Sequence, residues 1–394
     1  MTLRPFVTVW RHAASVLCSL ALLASCGGGV DSGGTGAPTA LSAGPVYGLG
    51  SVFVNGVRFD DSSASIVDQN GNPLTSDQLL PGMVLRVDAL AVQGSSGTPT
   101  ATAVTIRTAN ELIGPIGNID LAGSTLTVLG QTVRITAATW FHAALIGGLN
   151  AAHPGQVVEV FGQYNARTNE YVATRIALRP NAPAYEIRGV LTASDPAAHT
   201  LTVGGLTISD VGIAASALPT LVPGRFVRVT LATTPTGNVW TALTVAPGST
   251  PLPDRPDVRI VGRISAWTSA TQFTLNGLSI DASGASFPGG SAGVVLGARV
   301  AVVGASSADV VSASSVIVKG DETAANSPFE FHGAITALDT VAQTLVIRGI
   351  TVNYSASVQF SGGTIANLAI GRSIAVVGTI ASNRISVDAQ TIAF

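Results

Sequence analysis

The chain has 394 residues, more than one hydrophobic core usually organises, with 46% hydrophobic residues, only 11% charged residues and 44 glycines. Twenty basic side chains stand against 22 acidic ones and Lys319 is the only lysine, which excludes the basic surface that nucleic-acid binding requires. Both cysteines, Cys18 and Cys26, lie close to the N-terminus, so the body can form no internal disulfide and must be held by packing and strand pairing.

At the N-terminus, Arg4 and Arg11 make a basic segment, Ala13 to Leu22 an apolar one, and Leu23-Ala24-Ser25-Cys26 sets small residues before a cysteine. This pattern resembles the lipobox of bacterial lipoprotein signal peptides, and the resemblance implies cleavage before Cys26, diacylation of its sulfur and acylation of the new amino group. One acyl chain binds a membrane only marginally, at ~0.8 kcal/mol per buried methylene, whereas three make a stable anchor. The alternatives are an ordinary cleaved signal or a short buried helix. Cleavage removes two arginines and no acid, leaving a mature net charge of −4. Gly27 follows the cysteine where Asp does not, which in the best-known lipoproteins resembles outer-membrane sorting. Residues 26–45, rich in Gly, Ser, Thr, Ala and Pro, read as a flexible tether. Beyond the N-terminus no run approaches the roughly 18 apolar residues of a spanning helix.

Four landmarks then recur in order about five times. A glycine opens a strand at Gly50, Gly117, Gly189, Gly262 and Gly333, at nearly even intervals along the chain. A second glycine splits two alternating apolar runs, as in Asn55-Gly56, Leu129-Gly130, Gly204-Gly205, Asn276-Gly277 and Arg348-Gly349, and supplies the positive φ of a tight hairpin. A turn glycine precedes a fourth strand at Gly82, Gly155, Gly224, Gly297 and Gly371. Each unit closes on Ala-x-x-Ile or Ala-x-x-Val, from Ala103/Ile106 to Ala389/Ile392, where a small residue lets two strands approach.

The expected fold is all-β: about five tandem small OB-like Greek-key β-barrels, or alternatively small β-sandwiches, at residues 46–107, 111–178, 185–246, 257–319 and 329–394, with the signal peptide at 1–25. Module 1 departs from the rest, since Gly50 and Gly56 are so close that its first hairpin must be truncated. Linkers at 179–183, 247–256 and 320–328 predict modules strung like beads, with modules 1 and 2 packed together across their short joint. Taken together, the landmarks resemble the tandem repeats catalogued as domain of unknown function 5666, found in proteobacterial lipoproteins. The best match is Gly48 to Phe59 and the resemblance covers roughly residues 46 to 394. It implies fold and location, and carries no activity.

Candidate chemistry is sparse. Gly289-Gly290-Ser291-Ala292-Gly293 has the spacing of a nucleophile elbow, but in a glycine-rich loop before a strand rather than a helix. Asp68-Gln69-Asn70-Gly71-Asn72 begins like a calcium loop, yet Pro73 and Leu79 stand where glycine and glutamate belong. Asp120, Asp195 and Asp339 recur at hairpin tips, where turn-forming Asp accounts for them. The histidines His12, His142, His153, His199 and His332 lack metal-ligand spacing. Trp140, Trp240 and Trp267 offer stacking faces for sugars or core packing.

The residues thus point to no catalytic group, metal or cofactor, and to lipidation at Cys26. The expected protein is a non-enzymatic binding or scaffold array of the bacterial envelope, lipid-anchored at the outer membrane, with an envelope protein or polysaccharide as partner. Two alternatives stand beside it: a carbohydrate-binding array for envelope polysaccharide or peptidoglycan, and an enzyme whose site lies between repeats, which would need polar groups converging from several modules.

Overall fold

The alternating segments close into rings, and module 2 shows how. Its first strand, Leu112–Asp120, turns back into Thr125–Val128, and the Leu129-Gly130 corner leads to Gln131–Arg134. After a long connection come Val157–Asn165 and Glu170–Leu178, an antiparallel pair. The third strand runs parallel to the fifth (Val133 opposite Tyr171), and the fourth returns to the first (Val158 opposite Gly114). Around the ring the strand order is therefore first, second, third, fifth, fourth. The computed structural model describes residues 37–94, 98–213, 222–321, 329–355 and 357–394, and the same ring closes in all five modules. The protein is all-β, and this order is compatible with an OB-like Greek-key barrel.

Both arms of each corner alternate between core and surface: Leu126, Val128 and Val133 point inward while Thr125, Thr127, Thr132 and Arg134 do not. Burying each such side chain stabilises by roughly 1.5–3 kcal/mol. The corner itself is a type I′ turn, with φ of 53° and 77° at Asn55-Gly56 and 50° and 75° at Leu129-Gly130. A non-glycine residue at positive φ is tolerated at Leu129 because its side chain is buried against the barrel. The fourth landmark is a bulge. In every module the alanine sits where the register between fourth and fifth strands slips by one residue, as at Gly162 opposite Ala173 and Gly304 opposite Ala313.

Two expectations need correction. Residues 40–45, assigned to the tether, are the N-terminal half of the first strand of module 1, Ala40–Leu49. Consequently the glycine that opens module 1 is Gly44, paired with Leu85, just as Gly114, and not Gly117, pairs with Val158 in module 2. Gly189, Gly262 and Gly333 hold the same station. At this station the strand passes close under the hairpin corner: a methyl group on Gly114 would lie 2.6 Å from Leu129 Cγ. The stretch from Gly44 to Gly56 is shorter than its counterparts, Gly114 to Gly130, Gly189 to Gly205, Gly262 to Gly277 and Gly333 to Gly349, so the first hairpin of module 1 is indeed truncated.

The modules are not beads. Pro38–Phe394 is one compact unit. The first strand of module 1 runs parallel to that of module 4, Arg255–Ser269, with Ala40–Ala43 opposite Asp257–Ile260. It also meets that of module 5, Phe329–Asp339, at Gly48 and Leu49. Modules 2 and 3 join antiparallel through Leu112 and Ile113 opposite Ile187 and Glu186. The 247–256 joint packs instead of dangling: Leu252 is buried in the core of module 4. Modules 1 and 2 do pack together, with Thr174 Oγ1 donating to Gly82 O (2.6 Å) and Arg175 Nη1 to Pro81 O (3.1 Å).

Replacing Gly114 with Ala is expected to cost about 1–3 kcal/mol in denaturant unfolding, the usual penalty for forcing an extra group into a packed core. Gly289→Ala, with open space around it, should stay within about 0.5 kcal/mol of the parent.

Candidate functional site

The residues singled out in the sequence do not assemble into one site. Trp140 is 1% exposed, wedged edge-on against Phe329 of module 5 with ring centroids 4.8 Å apart. It therefore has no face to offer a sugar, because inter-module packing covers it. Trp240 is half-buried against Tyr185, and only Trp267, 46% exposed with its Nε1 donating to Val294 O (2.8 Å), keeps an open surface. Cys26 lies outside the described residues.

The hairpin-tip aspartates serve their turns. Asp120 accepts from the amide of Gly123, Asp195 from Ala197 and Ala198, and Asp339 from Val341 and Ala342. Asp68 likewise accepts from the amides of Asn70 and Asn72. Ser291 lies in a loop of turns, with no helix after it. Among the described residues no group of three or more His, Cys, Asp or Glu could hold a metal.

What the fold does bring together is a cleft of about 280 Å³ between modules 1, 3 and 4, reached also by Glu111 at the start of module 2. Its lining includes apolar Leu41, Leu85, Ile260 and Leu278 and four arginines, Arg86, Arg107, Arg188 and Arg228. Strand register sets these side chains. Arg86 and Arg107 stand directly opposite one another on the fourth and fifth strands of module 1, and Arg188 and Arg228 on the first and fourth strands of module 3. Directly opposed residues of an antiparallel pair share a face, and like charges there repel.

One member of each pair clamps the 247–252 segment that forms a wall of the cleft. Arg86 Nη1 donates to Pro251 O (3.1 Å), and Arg188 Nε donates to Gly248 O. Arg188 also pairs with Glu111 at 2.9 Å, and Arg86 with Asp88 at 3.5 Å. Burial holds the Arg86 guanidinium below its ordinary value; Asp88 opposes this, while Arg107 and Arg255 add to it. Arg107 donates to Asp68 O (3.2 Å), and the Arg228 guanidinium, which attracts Glu186, makes no hydrogen bond to another described residue.

Two carboxyls back this cluster. Burial pushes Glu111 up to about 7 despite Arg188, with Glu186 adding to the rise. Burial also pushes Glu186 up to about 7, against Arg228 and against the hydrogen bond from Gln69 Nε2 (2.6 Å). The second oxygen of Glu111 is buried and makes no hydrogen bond to a described residue. Further in, burial lowers Arg175 to about 10 against the pull of Glu159, which burial in turn raises. Polar groups from four modules thus converge on one place; Gln69 and Asn276 stand in segments the sequence singles out for other reasons, and the four arginines and Glu111 in none. The signal was present only as arginine on outward-facing strand positions of a chain otherwise poor in charge.

The family model described as a domain of unknown function (DUF5666) matches residues 113–177 and 332–393, nearly the whole of modules 2 and 5. These two modules are similar to DUF5666 domains. Modules 1, 3 and 4 close the same ring of strands as these two modules, and all four cleft arginines stand on strands of modules 1 and 3. No curated protein matches the chain.

A carboxyl raised by burial binds its proton more tightly folded than unfolded, so its contribution to stability is complete below about pH 4.5 and is lost as the pH climbs through about 7. The melting temperature should fall between pH 5 and pH 8. Glu186→Gln keeps an oxygen for Gln69 and removes the titration; it should melt a few degrees above the parent at pH 8 and level with it at pH 5, at roughly 2–4 °C per kcal/mol. Equal slopes in calorimetric scans of the two proteins would show that Glu186 does not titrate in this range.

Proposed function

We propose that the protein is a lipid-anchored binding array of the bacterial envelope, held at the outer membrane through Cys26, whose ligand sits in the cleft between its modules. The observation that carries this reading is the convergence of side chains from four modules on one cleft with a partly apolar lining, the usual form of a small-molecule site. Convergence of polar groups is also what an inter-repeat enzyme would need, and the chemistry of the groups favours binding. Glu111 is fixed by Arg188 and Glu186 by Gln69, so both carboxyls are already engaged. The groups turned to the cleft are guanidiniums, permanent cations that hold ligands but do not exchange protons near neutral pH.

The anchor follows from the signal sequence alone. Lipidation would place the array at a membrane surface, and the residues between Cys26 and Ala40 would set its reach from the bilayer.

Cys26→Ser should abolish incorporation of labelled palmitate and move nearly all of the protein from the membrane to the soluble fraction on centrifugation. Native mass spectrometry of the chain released gently from membranes should show one small molecule retained per chain. A membrane-bound Cys26→Ser protein would remove the anchor from this reading. A chain that retains nothing from envelope extracts while turning over one of their components would replace binding with catalysis.

A further inference from the structure

The cleft's charge pattern says more than that something binds there. In module 1 Arg86 faces Arg107 across the ladder, and in module 3 Arg188 faces Arg228, so two like-charge pairs line one cavity. Such pairs are unfavourable unless negative charge lies between or beside them. Two of the four guanidiniums are engaged in holding the 247–252 wall and their own carboxylates. The other two, Arg107 and Arg228, also line the cavity, and the only protein contact of the Arg107 guanidinium among the described residues is one backbone carbonyl.

The cavity is also lined by Leu41, Leu85, Leu252 and Leu278, of which Leu278 is the least buried. At about 280 Å³ it lies at the small end of the roughly 300–1,000 Å³ typical of ligand clefts. Its chemistry is therefore twofold: donors in the fork geometry that fits oxyanions, and a compact apolar lining.

We infer that the cleft binds a small amphiphilic oxyanion, a carboxylate or phosphate ester carrying one compact apolar group, with its head on the arginines and its apolar part on the leucines. The inference rests on the binding reading above and names the ligand class for the same site. Arg86 and Arg188 build the wall; Arg107 and Arg228 recognise the anion. Arg228 holds on the fourth strand of module 3 the position that Arg86 holds in module 1; at that position module 2 carries Glu159, and modules 4 and 5 carry Ala301 and Ala375.

The test uses the full lipidated chain in detergent, with phenyl phosphate, benzoate, inorganic phosphate and benzyl alcohol as probes in calorimetric titration and thermal melts. Phenyl phosphate or benzoate should bind one per chain and raise the melting temperature; inorganic phosphate should bind at least tenfold more weakly than phenyl phosphate, and benzyl alcohol not measurably. Whether phosphate ester or carboxylate binds more tightly identifies the head group. Arg107→Gln and Arg228→Gln should each weaken the preferred anion at least tenfold. Without ligand at pH 5, where Glu186 is protonated and no longer attracts Arg228, Arg228→Gln should melt no lower than the parent, because it removes the charge opposing Arg188, a result that a purely structural role would not give. Should that variant fail to fold, Arg107→Gln decides. Anion affinity equal to that of benzyl alcohol, or unchanged in the folded variants, overturns the inference. A neutral molecule found by native mass spectrometry would overturn it while leaving the binding reading intact.

Discussion

Each ring of strands closes, yet its first strand is too long to be covered by the ring. The N-terminal half pairs with the fourth strand on one side and the C-terminal half pairs with the second strand on the other, as at Ala40–Pro45 and Val46–Gly48 in module 1. Each half therefore keeps one edge of unpaired amides and carbonyls, which a soluble barrel has to cover. In this protein the cover is another module's first strand. Ala40–Ala43 takes the edge of module 4, Gly48 and Leu49 that of module 5, and Leu112 and Ile113 that of module 3. Chain order and spatial order then part company, since module 1 pairs its first strand with modules 4 and 5 and meets module 2 through side-chain hydrogen bonds.

Fusing barrels through their edges puts outward faces against one another, and those faces carry polar side chains by the ordinary alternation of a half-buried strand. Arg86, Glu159 and Arg228 occupy the same outward station on the fourth strands of modules 1, 2 and 3. In an isolated barrel they would be solvated. Here they are drawn into the junction, where desolvation is costly unless each charge finds partners. Glu159 answers Arg179 and lies near Arg175; Arg86 answers Asp88; Glu111 answers Arg188. The cleft is what remains where the sum of these pairings leaves cationic groups over. The cleft is thus a by-product of the same edge pairing that holds the modules together.

Most of the module was legible in the sequence, and little of the array was. Corner glycines, alternating arms, turn glycines and closing alanines are local devices, each dictated by a φ angle, a strand face or a close approach within a single module. Their positions on the chain are their positions in the barrel. Gly50 and Gly117 were misaligned because a glycine at a strand opening and one a little further along it look alike; only pairing to Leu85 and Val158 identifies Gly44 and Gly114. Trp140 and the Pro-rich 247–256 joint misled for another reason. An aromatic ring or a proline reads as exposed or as linker when its surroundings come from a distant part of the chain, as Phe329 and Arg86 do. The arginines of the cleft were hidden by the same distance, since an outward Arg on a strand is indistinguishable from a solvated one until the facing module is known.

This distance also bears on how the site comes into being. Arg228 lies about two modules and Leu278 nearly three along the chain from Arg86, and the edge of module 1 waits on strands near residues 257–260 and 330–331. Pairings of such sequence separation form after local hairpins, because loop closure costs entropy before the contact repays it. Each barrel can therefore assemble on its own local contacts, whereas the wall at 247–252, held by Arg86 on one side and Arg188 on the other, is set only when modules 1, 3 and 4 have met. Neither a single module nor a pair contains the cleft. The polar cluster at the centre belongs to modules 1, 3 and 4 together with Glu111 at the start of module 2.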